Sequence, residues 1–389
     1  MAVILLGASV CAHANNVTPL QFAVTEGGAA TLSIPIQVPR GIGGMEPQLA
    51  LTYGSGASNG LFGLGWTLSG VSAVTRCPRS KALDGERGSV NFDANDRFCL
   101  DGQRLVLVSP SDPAQYGGSD TEYRTERDSF SRITAIGSYG APGLKTPRGF
   151  RVETKSGLIM EFGNVDGASP PPSSLIETLP VAGQAATVNR WMIRKISDRV
   201  NSSVEFEYCK GQMPNVAAPV PVGTGGSSCN TAMFAGSAPL WYVRYTNRPG
   251  LAGGNAVVLR YEAREDMVRS FLAGTSSQQA QRISAIQTYR NFTSIASPGA
   301  LVRSYDLYYD KPREGTGASR RATLASRLIG LQERGADGDT LPMVSFAWAE
   351  DKVFDMTVSI DPPPPPPPID PCRDAFGSIP ITAPPHCRR

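Results

Sequence analysis

Few residues of this chain have the types and spacing that chemistry needs. Glu205-Phe206-Glu207 is an E-x-E pair preceded by Ser202 and Ser203. In ADP-ribosyl transfer, one glutamate of such a pair orients the nicotinamide ribose and the other activates the acceptor. The two glutamates alternate with Val204, Phe206 and Tyr208, however, so they read as the outward face of a strand. Asp93, Asn95 and Asp96 cluster oxygens suited to calcium, but lack the glycine and distal glutamate of an EF-hand loop and read as a polar β-turn. Asp337-Gly338-Asp339 reads as a hairpin turn. Tyr305, Tyr308 and Tyr309 form an aromatic stripe able to stack sugars; the expectation is sheet-face packing. The two histidines are His13 and His386. Residues 14 to 385 therefore lack the base of Ser-His-Asp and Cys-His catalysis and a common zinc ligand. No P-loop and no GxSxG elbow occurs. Gly60, Gly63 and Gly65 approach GxGxxG spacing without a following helix, which argues against a dinucleotide site. The expectation is a chain without enzymatic activity, cofactor or metal.

The cysteines suggest export. Of seven, Cys11 lies in the leading segment, leaving Cys77, Cys99, Cys209, Cys229, Cys372 and Cys387. Pairing of sequence neighbours gives Cys77–Cys99, Cys209–Cys229 and Cys372–Cys387, each closing a local loop. No CxxC or CxxH spacing points to zinc. Ala2 to Val10 is apolar and Ala12-His13-Ala14 fits a small-x-small cleavage site, so residues 1–14 resemble the back half of a secretory signal. The basic stretch that normally precedes it is missing, so the expectation is a true start that lies upstream or was misassigned. No stretch is long enough for a transmembrane helix. A net charge of +3, with basic and acidic residues interspersed, gives no nucleic-acid footprint.

The elements that position these residues read as strands. With 41 glycines and 32 prolines, yet 41% hydrophobic residues, the chain suits an extended β protein with a real core. Leu32, Ile34, Ile36 and Val38 alternate with polar or turn residues, as do Leu49, Leu51 and Tyr53, and a period of two places each set on one sheet face. Between them lie the turn formers Pro39, Gly41, Gly43, Gly44 and Pro47. A loop then gathers Gly54, Gly56, Asn59, Gly60, Gly63 and Gly65, with Trp66 as its apolar anchor. Further β-like runs are Leu105 to Val108, Phe150 to Val152, Leu158 to Phe162, Val204 to Tyr208, Trp241 to Tyr245, Val257 to Tyr261, Ile283 to Tyr289, Tyr305 to Tyr309 and Met343 to Trp348. The one helical reading is Ser276 to Ile286. Pro170 to Ser174 marks a loop, with a lobe boundary near 168–175. Lys210 to Ser228 reads as a surface loop. Pro362 to Pro368 is a stiff polyproline spacer. The organisation expected is a leader over 1–14, a β domain over 15–356, and a proline-rich linker with a short cysteine-containing tail over 357–389.

The stretch Pro39 to Arg76, PRGIGGMEPQLALTYGSGASNGLFGLGWTLSGVSAVTR, resembles the N-terminal domain of the Salmonella virulence plasmid B protein (SpvB) and of the B components of insecticidal Tc toxins. DRFCLDGQRLV (Asp96 to Val106), WMIRKISDRVNSSVEFEY (Trp191 to Tyr208) and SRLIGLQERGADGDTLPMVSFAW (Ser326 to Trp348) are similar to further segments of that family. Val200-Asn201 stands where the family has Gly-Asn. The resemblance implies an all-β, large antiparallel sheet or sandwich-like domain and places Glu205 and Glu207 in a non-catalytic region. It implies a structural or delivery role in a secreted toxin or RHS-type system, as a shell or docking segment for a payload, with RHS/YD-repeat or toxin-complex proteins as partners. It further implies strand edges that a neighbour must cover. In SpvB a proline tract leads to an ADP-ribosyltransferase domain; here only Ile369 to Arg389 follow it, too few for a catalytic fold. The alternatives are a secreted module binding carbohydrate or a host cell surface, and a remnant of an ADP-ribosyltransferase toxin.

Overall fold

The inward residues of the first meander set its sheet. In the computed structural model, Leu32, Ile34, Leu51, Tyr53 and Trp66 are all buried, while Thr31, Ser33 and Thr52 between them stay partly open. The structure describes residues 17–140, 145–167, 175–179, 187–209, 234–235, 239–247, 254–272, 275–310, 325–348 and 356–360. The fold is nearly all β, 55% strand and 4% helix, as the alternation predicts.

Three layers of organisation follow from the pairing. A four-stranded antiparallel sheet contains Gln21–Val24, Ala30–Pro35, Ala50–Gly54 and Trp66–Ser69. An eight-stranded barrel is built from Ala73–Cys77, Arg97–Leu100, Gln103–Ser109, Glu122–Thr125, Arg132–Ile136, Gly149–Glu153, Ile159–Gly163 and Thr187–Ser197. It closes because Thr187–Ser197 pairs with both Ile159–Gly163 and Ala73–Cys77. The same strand also pairs with Ser203–Tyr208, which starts a large antiparallel sheet running through Leu240–Asn247, Gly254–Leu272, Thr275–Phe292, Ala300–Tyr309, Leu328–Gly335, Val344–Trp348 and Met356–Ile360.

Side chains fill the barrel, as eight strands leave room for little else. Phe98, Phe150 and Trp191 form its centre, with ring centroids 5.1 to 5.3 Å apart. The Trp191 indole N–H donates to Pro147 O at 2.9 Å, so its one polar atom is satisfied. The four-stranded sheet covers the large sheet. Trp66 meets Phe346 at 4.9 Å and Tyr53 meets Trp348 at 6.0 Å, and one apolar cluster runs through all three parts.

One local expectation is overturned. Ser276 to Ile286 is not helical but lies inside the strand Thr275–Phe292, which forms a long hairpin with Gly254–Leu272. Ile283 and Ile286 are buried from opposite sides of the strand alternation by a bulge-shifted register, which breaks the period of two and imitates helical spacing. At the Val200-Asn201 position the hairpin is tight nonetheless. Asn201 takes the left-handed backbone (φ 62°) that asparagine tolerates in turns, and the Asp198 carboxylate accepts from the N–H groups of Val200 and Ser202.

The lobe boundary near 168–175 and the loop 210–228 fall largely outside the described residues. So do the leader 1–14 and the tail 361–389 with Cys372, Cys387 and His386.

Candidate functional site

The sequence motif converges on a buried polar lock. In the hairpin strand Gly254–Leu272 the pairing jumps between Ala263↔Gln281 and Val268↔Gln279, so five steps on one strand oppose two on the other. This wide bulge turns Arg264 and Asp266 toward the glycine-rich loop at Asn59 and Gly60. The Arg264 guanidinium donates to Asp266 Oδ1 from Nε at 3.0 Å and to Asp266 Oδ2 from Nη2 at 2.7 Å. It also reaches Gly60 O at 2.9 Å and Asn59 Oδ1 at 2.7 Å. Asn59 Nδ2 donates to Asp266 Oδ2 at 2.9 Å, and Ser326 donates to the same carboxylate through both its N–H and its hydroxyl. The side chains of Arg264 and Asp266 are 0% and 3% exposed.

Electrostatics follow from this count. Burial pushes the Asp266 carboxyl up, but hydrogen bonds from Arg264, Ser326 and Asn59 outweigh it and hold it well below the usual carboxylate range. The network continues outward: Arg282 Nη1 donates to Ser326 Oγ at 2.9 Å and its Nε to Glu262 Oε1 at 2.6 Å, while its guanidinium lies 4.2 Å from the Tyr309 ring centre.

Glycine is required twice beside the lock. At Gly63 (φ 85°) a Cβ would lie 2.5 Å from Ser326 O, the carbonyl that accepts from the Leu64 N–H. At Gly65 (φ 78°) a Cβ would lie 2.4 Å from the Tyr53 ring, which Trp66 and Trp348 hold in place. Gly54 ends the strand whose N–H bonds to Gly65 O. Pro39, Gly41, Gly43, Gly44 and Pro47 form the connection before it. Tyr245 Oη donates to Pro39 O at 2.7 Å, and the Gly41 N–H donates to Glu46 Oε2 at 2.7 Å.

A second buried pair ends the motif. Arg76 donates to Val188 O, Asp93 O, Asp96 Oδ2, Thr146 Oγ1 and Thr187 Oγ1 at 2.6 to 3.1 Å, matching all five guanidinium N–H groups. Arg76 and Asp96 are each 1% exposed. The carboxylate oxygens of Asp93 and Asp96 are therefore used internally: Asp96 also accepts from the Asn91 N–H, and Asp93 from the N–H and the side-chain amide of Asn95, as in a polar turn. Among the described residues no group of acidic, histidine or cysteine side chains is placed to hold a metal.

Glu205 and Glu207 stand on the outward face of Ser203–Tyr208 while Val204, Phe206 and Tyr208 are buried, and Glu205 pairs with Arg244 at 2.6 Å. Asp337-Gly338-Asp339 forms a turn in which the Gly335 N–H donates to Asp339 O. Tyr305 and Tyr309 point inward, their hydroxyls bonded to the Gln37 N–H and to Ile283 O. Cys77 and Cys99 are joined by a disulfide with Cα atoms 5.9 Å apart. Cys209 is buried and disulfide-bonded; Cys229 lies outside the described residues.

The sequence pointed to Asn59 and Gly60 but not to their partners. Arg264, Asp266 and Ser326 lie more than 200 residues downstream, and nothing in AREDMVR separates a buried pair from a solvated one. Arg76 closes the motif without any local sign that it is buried.

Residues 24–139 match the family model of the Salmonella virulence plasmid 65kDa B protein, SpvB. No curated protein sequence matches the chain. Among solved structures, TcdB2-TccC3 has a TM-score of 0.58 at 18% identity and covers 85% of this chain. The chain spans 17% of that one. The Photorhabdus luminescens Tc holotoxin pore gives a TM-score of 0.57 at 18% identity, over 85% of this chain and 16% of its own. The N-terminal domain of effector protein SpvB from Salmonella typhimurium strain LT2 gives 0.53 at 17% identity, over 78% of this chain and 98% of its own. Residues 24–139 thus match the SpvB family model, and most of the chain shares its fold with the SpvB N-terminal domain and with part of TcdB2-TccC3.

Proposed function

We propose that this chain is a non-catalytic structural module of a secreted toxin-type assembly, a wall or docking segment for a payload carried by an RHS/YD-repeat or toxin-complex protein. The observation that carries this reading is the fold match to TcdB2-TccC3, which covers 85% of this chain but takes up only 17% of the larger one. A whole domain of this kind fits as one section of a larger body. The chemistry agrees: Asn59 of the motif is held in internal bonds that tie the glycine-rich loop to the large sheet, and Arg76 in bonds within the barrel wall. The outer strand Gln21–Val24 is exposed throughout, with Phe22 and Val24 65% and 61% open, an edge of the kind a neighbouring sheet covers.

The test is a pull-down with residues 15–389 from the secreted fraction of the source organism, read by mass spectrometry. Recovery of a YD-repeat or toxin polypeptide is expected. Recovery of the bait alone overturns the reading.

A further inference from the structure

The barrel carries a cationic hollow that the shell reading does not use. Between Cys77 and Cys99 the chain leaves the barrel wall and returns, and the disulfide ties the two ends. The excursion borders an open surface depression of about 670 Å³ lined by Arg79, Ser80, Lys81, Ala82, Arg87, Gly88 and Ser89. That volume holds a sugar-sized group.

The loop's own acids offset only part of this charge, at Arg79. Asp84 turns away, accepting from Arg97 Nε at 2.7 Å, Arg104 Nη2 at 2.8 Å and the Ser80 N–H at 2.8 Å. Glu86, 65% exposed, pairs with Arg79. Lys81 and Arg87 have no carboxylate partner among the described residues. The same bonds make the loop stiff. Arg104 also holds Pro78 O at 2.9 Å, and Arg79 bridges antiparallel to Gly88. A Cβ at Gly88 would sit 2.8 Å from Arg79 Nε, so glycine is what lets that guanidinium lie against the strand.

We propose that this hollow binds a sulfate or phosphate ester. The free Arg87 guanidinium and Lys81 ammonium line the depression with two serine hydroxyls, beside the Arg79 guanidinium that Glu86 pairs, and a planar fork matches a tetrahedral oxyanion in two-point contact. The ester belongs either to an acidic polysaccharide or to an anionic lipid headgroup; the chemistry recognised is the same.

The test uses the full chain and three probes: inorganic pyrophosphate, heparin, and phosphatidylcholine vesicles containing phosphatidylglycerol. Binding is compared among the native chain, Lys81→Gln/Arg87→Gln, and the charge-matched control Arg127→Gln/Lys155→Gln. All four residues are exposed or partly exposed, so circular dichroism should match throughout. Native binding to pyrophosphate and at least one polyanion is expected, weakened about tenfold by the hollow variant and little by the control. Heparin binding alone identifies the polysaccharide source, and vesicle binding alone the lipid. No native binding, or equal losses in the two variants, overturns the proposal.

Discussion

Asp266→Asn is the sharpest perturbation of the lock. The carboxylate accepts from five donors: Arg264 Nε and Nη2, Asn59 Nδ2, and the N–H and hydroxyl of Ser326. An asparagine keeps the shape but replaces one oxygen by an NH2 group among partners of which only the Ser326 hydroxyl can accept. It also leaves the enclosed Arg264 charge without its counter-ion. Breaking such a pair costs about 3–5 kcal/mol, and hydrogen bonds to charged groups are worth about 1.5–3 kcal/mol each. Gly60 O and Asn59 Oδ1 still hold Arg264, so the lower part of that range, about 3 kcal/mol, is expected at pH 7. Urea unfolding followed by tryptophan fluorescence measures it. The pH dependence gives a second readout. The folded carboxyl titrates below its unfolded value of about 3.9. Its contribution is therefore complete above that value and is lost as pH falls toward the folded one. The gap between native and variant should narrow by about 1 kcal/mol between pH 6 and pH 3. A gap under about 1 kcal/mol at pH 7, or one constant across that range, would refute the account of the lock.

Other outcomes follow from single observations. Gly65→Ala should destabilise by about 3 kcal/mol, combining a left-handed backbone with the clash against Tyr53, whereas Gly43→Ala, with φ 63° and open space around it, should cost only about 1 kcal/mol; thermal melts compare the two. Asp96→Ala strips Arg76 of its counter-ion inside the barrel wall and should cost about 3–5 kcal/mol in urea unfolding. The double change Cys77→Ser/Cys99→Ser opens a loop with a sequence separation of 22 and should lower unfolding stability by about 3 kcal/mol under non-reducing conditions. An NAD-glycohydrolase assay should read no turnover; turnover abolished by Glu207→Ala would overturn the non-catalytic reading.

Residue types alone determined the strands and the family motif. The alternation of Leu32, Ile34 and Ile36 with polar neighbours is a local property, because the side-chain period of a strand is set by its own backbone. The dense glycines and Trp66 were legible for the same reason: tight turns and a large apolar anchor mark themselves. The tertiary structure decided what those turns are for. Asn59 meets Arg264, Asp266 and Ser326 only because a bulge about two-thirds of the way along the chain swings a charged pair inward, and bulges leave no fixed residue signature. Arg76 finds its five acceptors on three separate segments that barrel closure brings together. That closure is itself non-local, since Thr187–Ser197 must pair with Ala73–Cys77 more than 100 residues away. The Ser276 to Ile286 reading failed on the same ground. Its spacing was locally ambiguous, and strand pairing on both sides, which no window of sequence contains, resolved it.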